Sequence, residues 1–208
     1  MTDPTSFLLF LLAAGLLAVT PGPGLAYVAA RTLTGGVREG VASSFGTALG
    51  GTVHILAGAL GVSALVLASA EAFTLLKLVG AAYLIFLGVR TIREASAAAP
   101  PLVRATGAAR AFREGVVVEA LNPKTAAFFL AFLPQFISPA GNVAAQFVVL
   151  GLACVALNTA ADLAVAVAAG RVRQGFAERP LRIVRLRQGS GALMCALGGM
   201  LLLARRPA

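Results

Sequence analysis

The chain has 208 residues, 59% of them hydrophobic and 12% charged, with a formal net charge of +9. A soluble domain carries about 25% charged residues, so this composition cannot cover a water-facing surface and excludes a soluble enzyme or nucleic-acid-binding domain. A membrane-spanning helix takes about 20 mostly apolar residues, so six would use about 120 and leave only short loops.

Apolar runs bounded by charge predict six helices, at roughly 5–30, 40–68, 72–92, 114–137, 143–170 and 189–204. The expected fold is therefore all-α, a polytopic membrane bundle forming a single integral domain. The first run follows Asp3 and has no basic leader, so it reads as a retained helix rather than a signal peptide. The sixth, Gly189 to Ala204, is the weakest. At 1.5 Å per residue it covers only about 24 Å. Cys154 and Cys195 lie inside apolar runs and read as packing, not as a disulfide framework or zinc site.

Of the 17 Lys and Arg residues, 13 fall in three stretches: Arg31 and Arg38; Arg90, Arg93, Arg104, Arg110 and Arg113; and Arg171, Arg173, Arg179, Arg182, Arg185 and Arg187. Cytoplasmic loops carry such an excess. Six helices put these three loops on the cytoplasmic side and both termini outside, with Arg205 and Arg206 dissenting. A topological role explains the charge without a nucleic-acid partner.

The longest polar stretch, Arg93 to Arg113, contains Pro100, Pro101 and Gly107 and reads as a flexible cytoplasmic linker (93–113). It separates a first three-helix half (1–92) from a second (114–208). Three is odd, so the second half enters the membrane inverted, as in the repeats of secondary transporters. Weak echoes support this: GAAYLIFLG (Gly80–Gly88) in the third helix and GALMCALG (Gly191–Gly198) in the sixth.

The first helix of each half is interrupted, by Thr20–Gly24 (TPGPG) and by Asn122–Lys124 (NPK). A proline lacks an amide donor and clashes with the carbonyl four residues back. Pro21 and Pro23 therefore free the carbonyls of Leu17 and Val19, and Pro123 frees that of Glu119. Gly22 and Gly24 let another backbone or a solute approach. Freed groups in hydrocarbon must be satisfied by protein, water or ligand. Two broken helices meeting near the midplane would offer half-helix N-termini to a carboxylate and carbonyls to an ammonium; kinks used only for packing are the alternative. On this reading Pro21, Gly22, Pro23, Gly24, Asn122, Pro123 and Lys124 bind substrate.

Gly46, Gly50, His54 and Gly58 share a face of the second helix, which directs His54 into the bundle. Cys154, Asn158, Asp162, Ala166 and Gly170 form a comparable stripe on the fifth. Ionisable groups at such depth are costly and are read as functional by default, so Asp162, His54 and Glu119 are the candidates for proton coupling. The alternative for Asp162 and His54 is a buried strut. A single His makes no metal site. Glu119 and Lys124, five positions apart, would not share a face of an unbroken helix. Lys124 holds a carboxylate or snorkels to the interface. Phe128–Phe136 reads mostly as packing. Ser190 and His54 invite comparison with an intramembrane hydrolase, but Ser190 lacks a GxSG context, and a passive channel is the stronger rival to a carrier.

TPGPGLAYVAARTLTGGVREG, FGTALGGTVH, KLVGAAYLIFLGVR and EALNPKTAAFFLAFLPQF, in this order, together resemble the LysE/RhtB amino-acid exporters (lysine exporter and homoserine-threonine resistance). The resemblance implies export of amino acids or close derivatives across the inner membrane, in exchange for protons. It also implies a compact helical bundle that forms a homodimer, with no enzymatic activity and no cofactor. The motif positions are Pro21, Gly22, Pro23 and Gly24, and Asn122, Pro123 and Lys124. Proton coupling at Asp162 rests on burial alone.

Overall fold

A computed structural model describes residues 4–68, 70–96, 104–171 and 180–203. Among these residues every regular element is helical: α1 (Pro4–Val19), α2 (Pro23–Gly35), α3 (Val37–Ala68), α4 (Ala70–Arg93), α5 (Ala108–Ala120), α6 (Pro123–Ala127), α7 (Val143–Arg171) and α8 (Pro180–Leu203). A π-helical turn, Phe128–Phe132, and a 3-10 turn, Leu133–Phe136, continue α6.

The prolines act where they were expected to. Pro23 opens α2 and Pro123 opens α6, in the first turn, where a missing amide costs no hydrogen bond. The chain bends by 44° between α1 and α2 and by 41° between α5 and the Pro123–Phe136 segment. By length and apolar content, Thr74–Arg93 and Val143–Arg171 can each cross a membrane, and each bent pair qualifies as one broken span. The 32 residues of α3 extend about 48 Å, longer than a hydrocarbon core of about 30 Å.

Leu8, Leu12 and Leu16 on α1 and Leu49, Val53, Leu56 and Leu60 on α3 point outward, while Phe10, Leu17, Leu84, Phe128, Phe129, Phe147 and Leu201 fill the interior. A helix apolar on both faces belongs in hydrocarbon. This is a membrane protein whose outer surface is made for lipid.

Inside, α4 lies along α8, α3 packs on α5 and α7, and α1 and α2 pack on α7. Small residues set these distances. A Cβ on Gly50 would lie 2.5 Å from the Val116 carbonyl, and one on Gly191 would lie 2.5 Å from that of Gly88. The two segments that echo each other in sequence are thus packing partners. Gly191→Val should lower the thermal midpoint in detergent by the equivalent of about 1–3 kcal/mol of overpacking or more, as followed by size-exclusion chromatography after heating. An unchanged midpoint would show that α4 and α8 are free to separate.

Three details depart from expectation. α8 starts at Pro180 and runs 24 residues, taking in positions that had been assigned to the loop. Proline at its start and the helix-favouring Leu and Arg that follow explain the extension. α5 starts at Ala108, inside the expected linker, after Gly107 at φ 86° and with Arg110 paired to Glu114 at 2.8 Å. Arg31, counted as a loop cation, is 2% exposed.

Arg31 donates to the Tyr27 hydroxyl (2.9 Å), the Arg104 carbonyl (2.8 Å) and the Thr106 hydroxyl (2.6 Å), and it pairs with Glu39 and Glu114. The Thr106 and Gly107 amides donate to Glu39 at 3.0 and 2.7 Å. The end of the linker is therefore pinned by charge to α2 and α3. Pro100, Pro101, Arg173, Arg179, Arg205 and Arg206 lie outside the described residues. Arg31→Met leaves Glu39 buried without its cationic partner. It should destabilise the protein by about 3–5 kcal/mol, seen as a lower thermal midpoint. Retention of the wild-type midpoint would contradict this role.

Candidate functional site

The two breaks meet, and each half of the chain supplies what the other's break lacks. At the first break the Lys124 ammonium donates to the carbonyls of Leu17 (3.1 Å) and Thr20 (2.9 Å). Ser190, on α8, donates to the Pro21 carbonyl at 2.8 Å. At the second break His54 Nε2 lies 2.8 Å from the Glu119 carbonyl, so that nitrogen carries a proton. The Glu119 carbonyl thus accepts from the one histidine of the chain as well as from the Asn122 amide at 3.0 Å.

Gly22 allows this approach, since a Cβ there would lie 3.0 Å from both Cε and Nζ of Lys124. The lysine does not snorkel: it is 7% exposed and lies across the first break. Two carbonyls use two of its three hydrogens.

The helix starts differ. Asn122 caps its own helix by accepting from the Lys124 amide at 3.0 Å. Gly22 offers α2 no side-chain cap, so the first amides of α2 are the less satisfied end.

The carboxylates also differ. Glu119 accepts from the Asn122 side-chain amide (2.9 Å) and the Thr125 hydroxyl (2.6 Å), one bond on each oxygen. A Cβ on Gly24 would lie 2.5 Å from Glu119 Oε2, so the second glycine of the first break makes room for the carboxylate of the second. Asp162, 5% exposed, accepts on Oδ2 from the Thr47 hydroxyl at 2.7 Å. That hydroxyl also lies 2.8 Å from the Ser44 carbonyl, and with one hydrogen it serves only one acceptor at a time.

Gly24, Thr47, Glu119, Asn122, Lys124 and Asp162 line one inner cavity together with Asn158 and Thr159. It measures about 20 Å³ at water centres, where one water needs about 10–15 Å³. In this conformation it admits water and no amino acid. A second cavity of about 260 Å³ lies between the breaks, α4 and α8, lined by Pro21, Gly22, Pro23, Pro123 and Lys124 and by Arg90 and Glu94 at the end of α4. Lys124 is the residue common to both. The seven motif residues are therefore divided between two spaces, and the break turns Glu119 and Lys124 toward one of them. His54 lies beside that space, behind Glu119.

Sequence reasoning missed Thr47, Thr125 and Ser190, and the cluster around Arg31. Ser190 had been weighed only as a nucleophile. The small residues on either side of it, Gly189 and Gly191, were the available signal of close helix contact.

The family description of the LysE type translocators matches residues 16–205, a span that includes both breaks, His54 and Asp162. The chain belongs to the LysE type translocator family. Along 204 residues it is 30% identical to an uncharacterized membrane protein of Vibrio cholerae, covering 96% of this chain and 97% of that one. It is 32% identical over 197 residues to the homoserine/homoserine lactone efflux protein of Salmonella typhimurium, covering 94% and 95%. The leucine efflux protein of Salmonella typhimurium is 27% identical over 132 residues, 62% and 61% of the two chains. No solved structure gives a significant match.

Proposed function

We propose that this member of the family is a secondary exporter of amino acids or close derivatives across the inner membrane, exchanging them for protons by alternating access. The observation that carries the reading is the convergence of two interrupted spans on a buried cavity holding two carboxylates and one ammonium. The named activities of the Salmonella relatives, homoserine and leucine efflux, supply the substrate class.

With all three groups ionised, the cavity sums to −1. One proton neutralises it, whereas a zwitterionic substrate pairs its ammonium with a carboxylate there and leaves the sum at −1. A net charge at bilayer depth is costly to carry, which favours a proton on the return path. Glu119 already has a neutral donor on each oxygen and is held between them. Asp162 has one, from a hydroxyl that can turn to Ser44 instead, so Asp162 is the group that exchanges a proton for the substrate ammonium. The remaining hydrogen of Lys124 and the uncapped start of α2 receive the substrate carboxylate. His54 is spent on the Glu119 carbonyl and holds the second break in shape.

Six spans in two inverted halves, with both termini outside, complete the proposal. It is supported by the pairing of α4 with α8, of α3 with α7 and of break with break, which a two-fold relation between the halves would produce. The inner cavity is too small for cargo, so the transport cycle has to open it. Vesicles carrying the purified protein and loaded with unlabelled homoserine or leucine should take up the labelled amino acid faster than empty ones, and saturably. Flux that neither saturates nor responds to the internal amino acid would favour a passive channel.

A further inference from the structure

The larger cavity has a composition of its own. It is lined by residues of both breaks and by Lys124, by Leu87, Thr91 and Met194 of the neighbouring helices, and by Arg90 and Glu94. Arg90 Nε donates to Glu94 Oε1 at 2.9 Å, and both side chains are more than half exposed, at 59% and 57%. An exposed i,i+4 pair of this kind contributes little to stability, so it parts easily. One guanidinium and one carboxylate, adjacent and easily separated, are the complement of a zwitterion. The guanidinium offers a fork for a carboxylate, and Glu94, beside the carbonyl end of α4, offers negative charge to an ammonium. About 260 Å³ at water centres is many times the roughly 10–15 Å³ that one water needs, whereas the inner cavity holds about 20 Å³. In this conformation, cargo fits the outer space alone.

We propose that this vestibule is a first binding site for the zwitterionic head of the amino acid, with Arg90 taking its carboxylate and Glu94 its ammonium, and that Lys124 is the partition it passes to reach the inner cavity. The inference rests on the amino-acid reading above. The site lies at the end of α4 flanked by Arg90 and Arg93, the end assigned to the cytoplasm, where an exporter collects its substrate.

The test is the concentration dependence of counterflow in vesicles, with homoserine and leucine as probes, for the wild type, Arg90→Gln, Glu94→Gln and the charge swap R90E/E94R. Each single variant should raise the half-saturating concentration about five- to tenfold, as the loss of one charge-assisted contact implies, while the maximal rate falls less than about twofold. The swap restores the ion pair and reverses its polarity, so it should remain impaired. Unchanged half-saturation in both single variants overturns the vestibule site and leaves the exporter reading intact. A swap that restores wild-type behaviour shows a structural pair and also overturns it. A wild-type protein that exchanges neither probe takes down both readings.

Discussion

Lys124→Met should reduce exchange by on the order of 100-fold, about 2.7 kcal/mol of barrier, with the protein still inserted in the membrane. Methionine keeps the length of the aliphatic stem and removes the ammonium, so the Thr20 carbonyl loses this donor and the Leu17 carbonyl keeps only the Thr20 amide. An unsatisfied buried carbonyl costs about 1–3 kcal/mol. Removing a buried charge offsets part of that cost, so stability should fall less than transport does. Lys124→Arg should not rescue exchange. The lysine stem lies so close to Gly22 that a Cβ there would press on it at 3.0 Å, and a planar guanidinium is bulkier than the ammonium it would replace. Gly22→Ala should weaken exchange by pressing on the same stem. Wild-type exchange in Lys124→Met would mean that the first break is held by something else.

Asp162→Asn is expected to separate two activities that the wild type couples. Asparagine preserves shape and still bonds to Thr47, but it cannot take up and release a proton. Accumulation driven by a pH gradient should fall to the passive level, and the response of exchange to pH should flatten. Glu119→Gln should behave differently. It replaces a carboxylate oxygen that receives a hydrogen bond with an amide nitrogen that cannot accept one. Turned toward Thr125, that nitrogen donates to the hydroxyl while the amide oxygen keeps accepting from Asn122, so both contacts survive and pH-driven accumulation should persist. Full pH-driven accumulation by a correctly inserted Asp162→Asn protein would remove Asp162 from the coupling step.

Proline chemistry made much of the site legible before any coordinates. Pro21, Pro23 and Pro123 each remove a donor from an apolar run, and the structure breaks the helix at those places. Spacing of four made the direction of His54 and Asp162 legible as well, because Gly46 and Gly50 beside His54 leave room only for the backbone of α5. What no local pattern encodes is which group answers which. Lys124 reaches a carbonyl 107 positions away, and Ser190 one 169 positions away. Such pairings depend on how the halves dock. Arg31 misled for a related reason. A cation near the end of a helix looks like a loop charge until the carboxylates that bury it, Glu39 and Glu114, arrive from other helices. The start of α8 was obscured by its arginines, which mark the border of the apolar run and still favour a helix.

Purified protein in sealed vesicles, given labelled homoserine or leucine at equal concentration on both sides and then an imposed pH gradient, is the decisive system. Accumulation on the acidic side, abolished by a protonophore and absent in Asp162→Asn, is the expected result for a proton-exchanging carrier. Labelled amino acid that stays evenly distributed whatever the gradient, while still crossing the membrane, would contradict it.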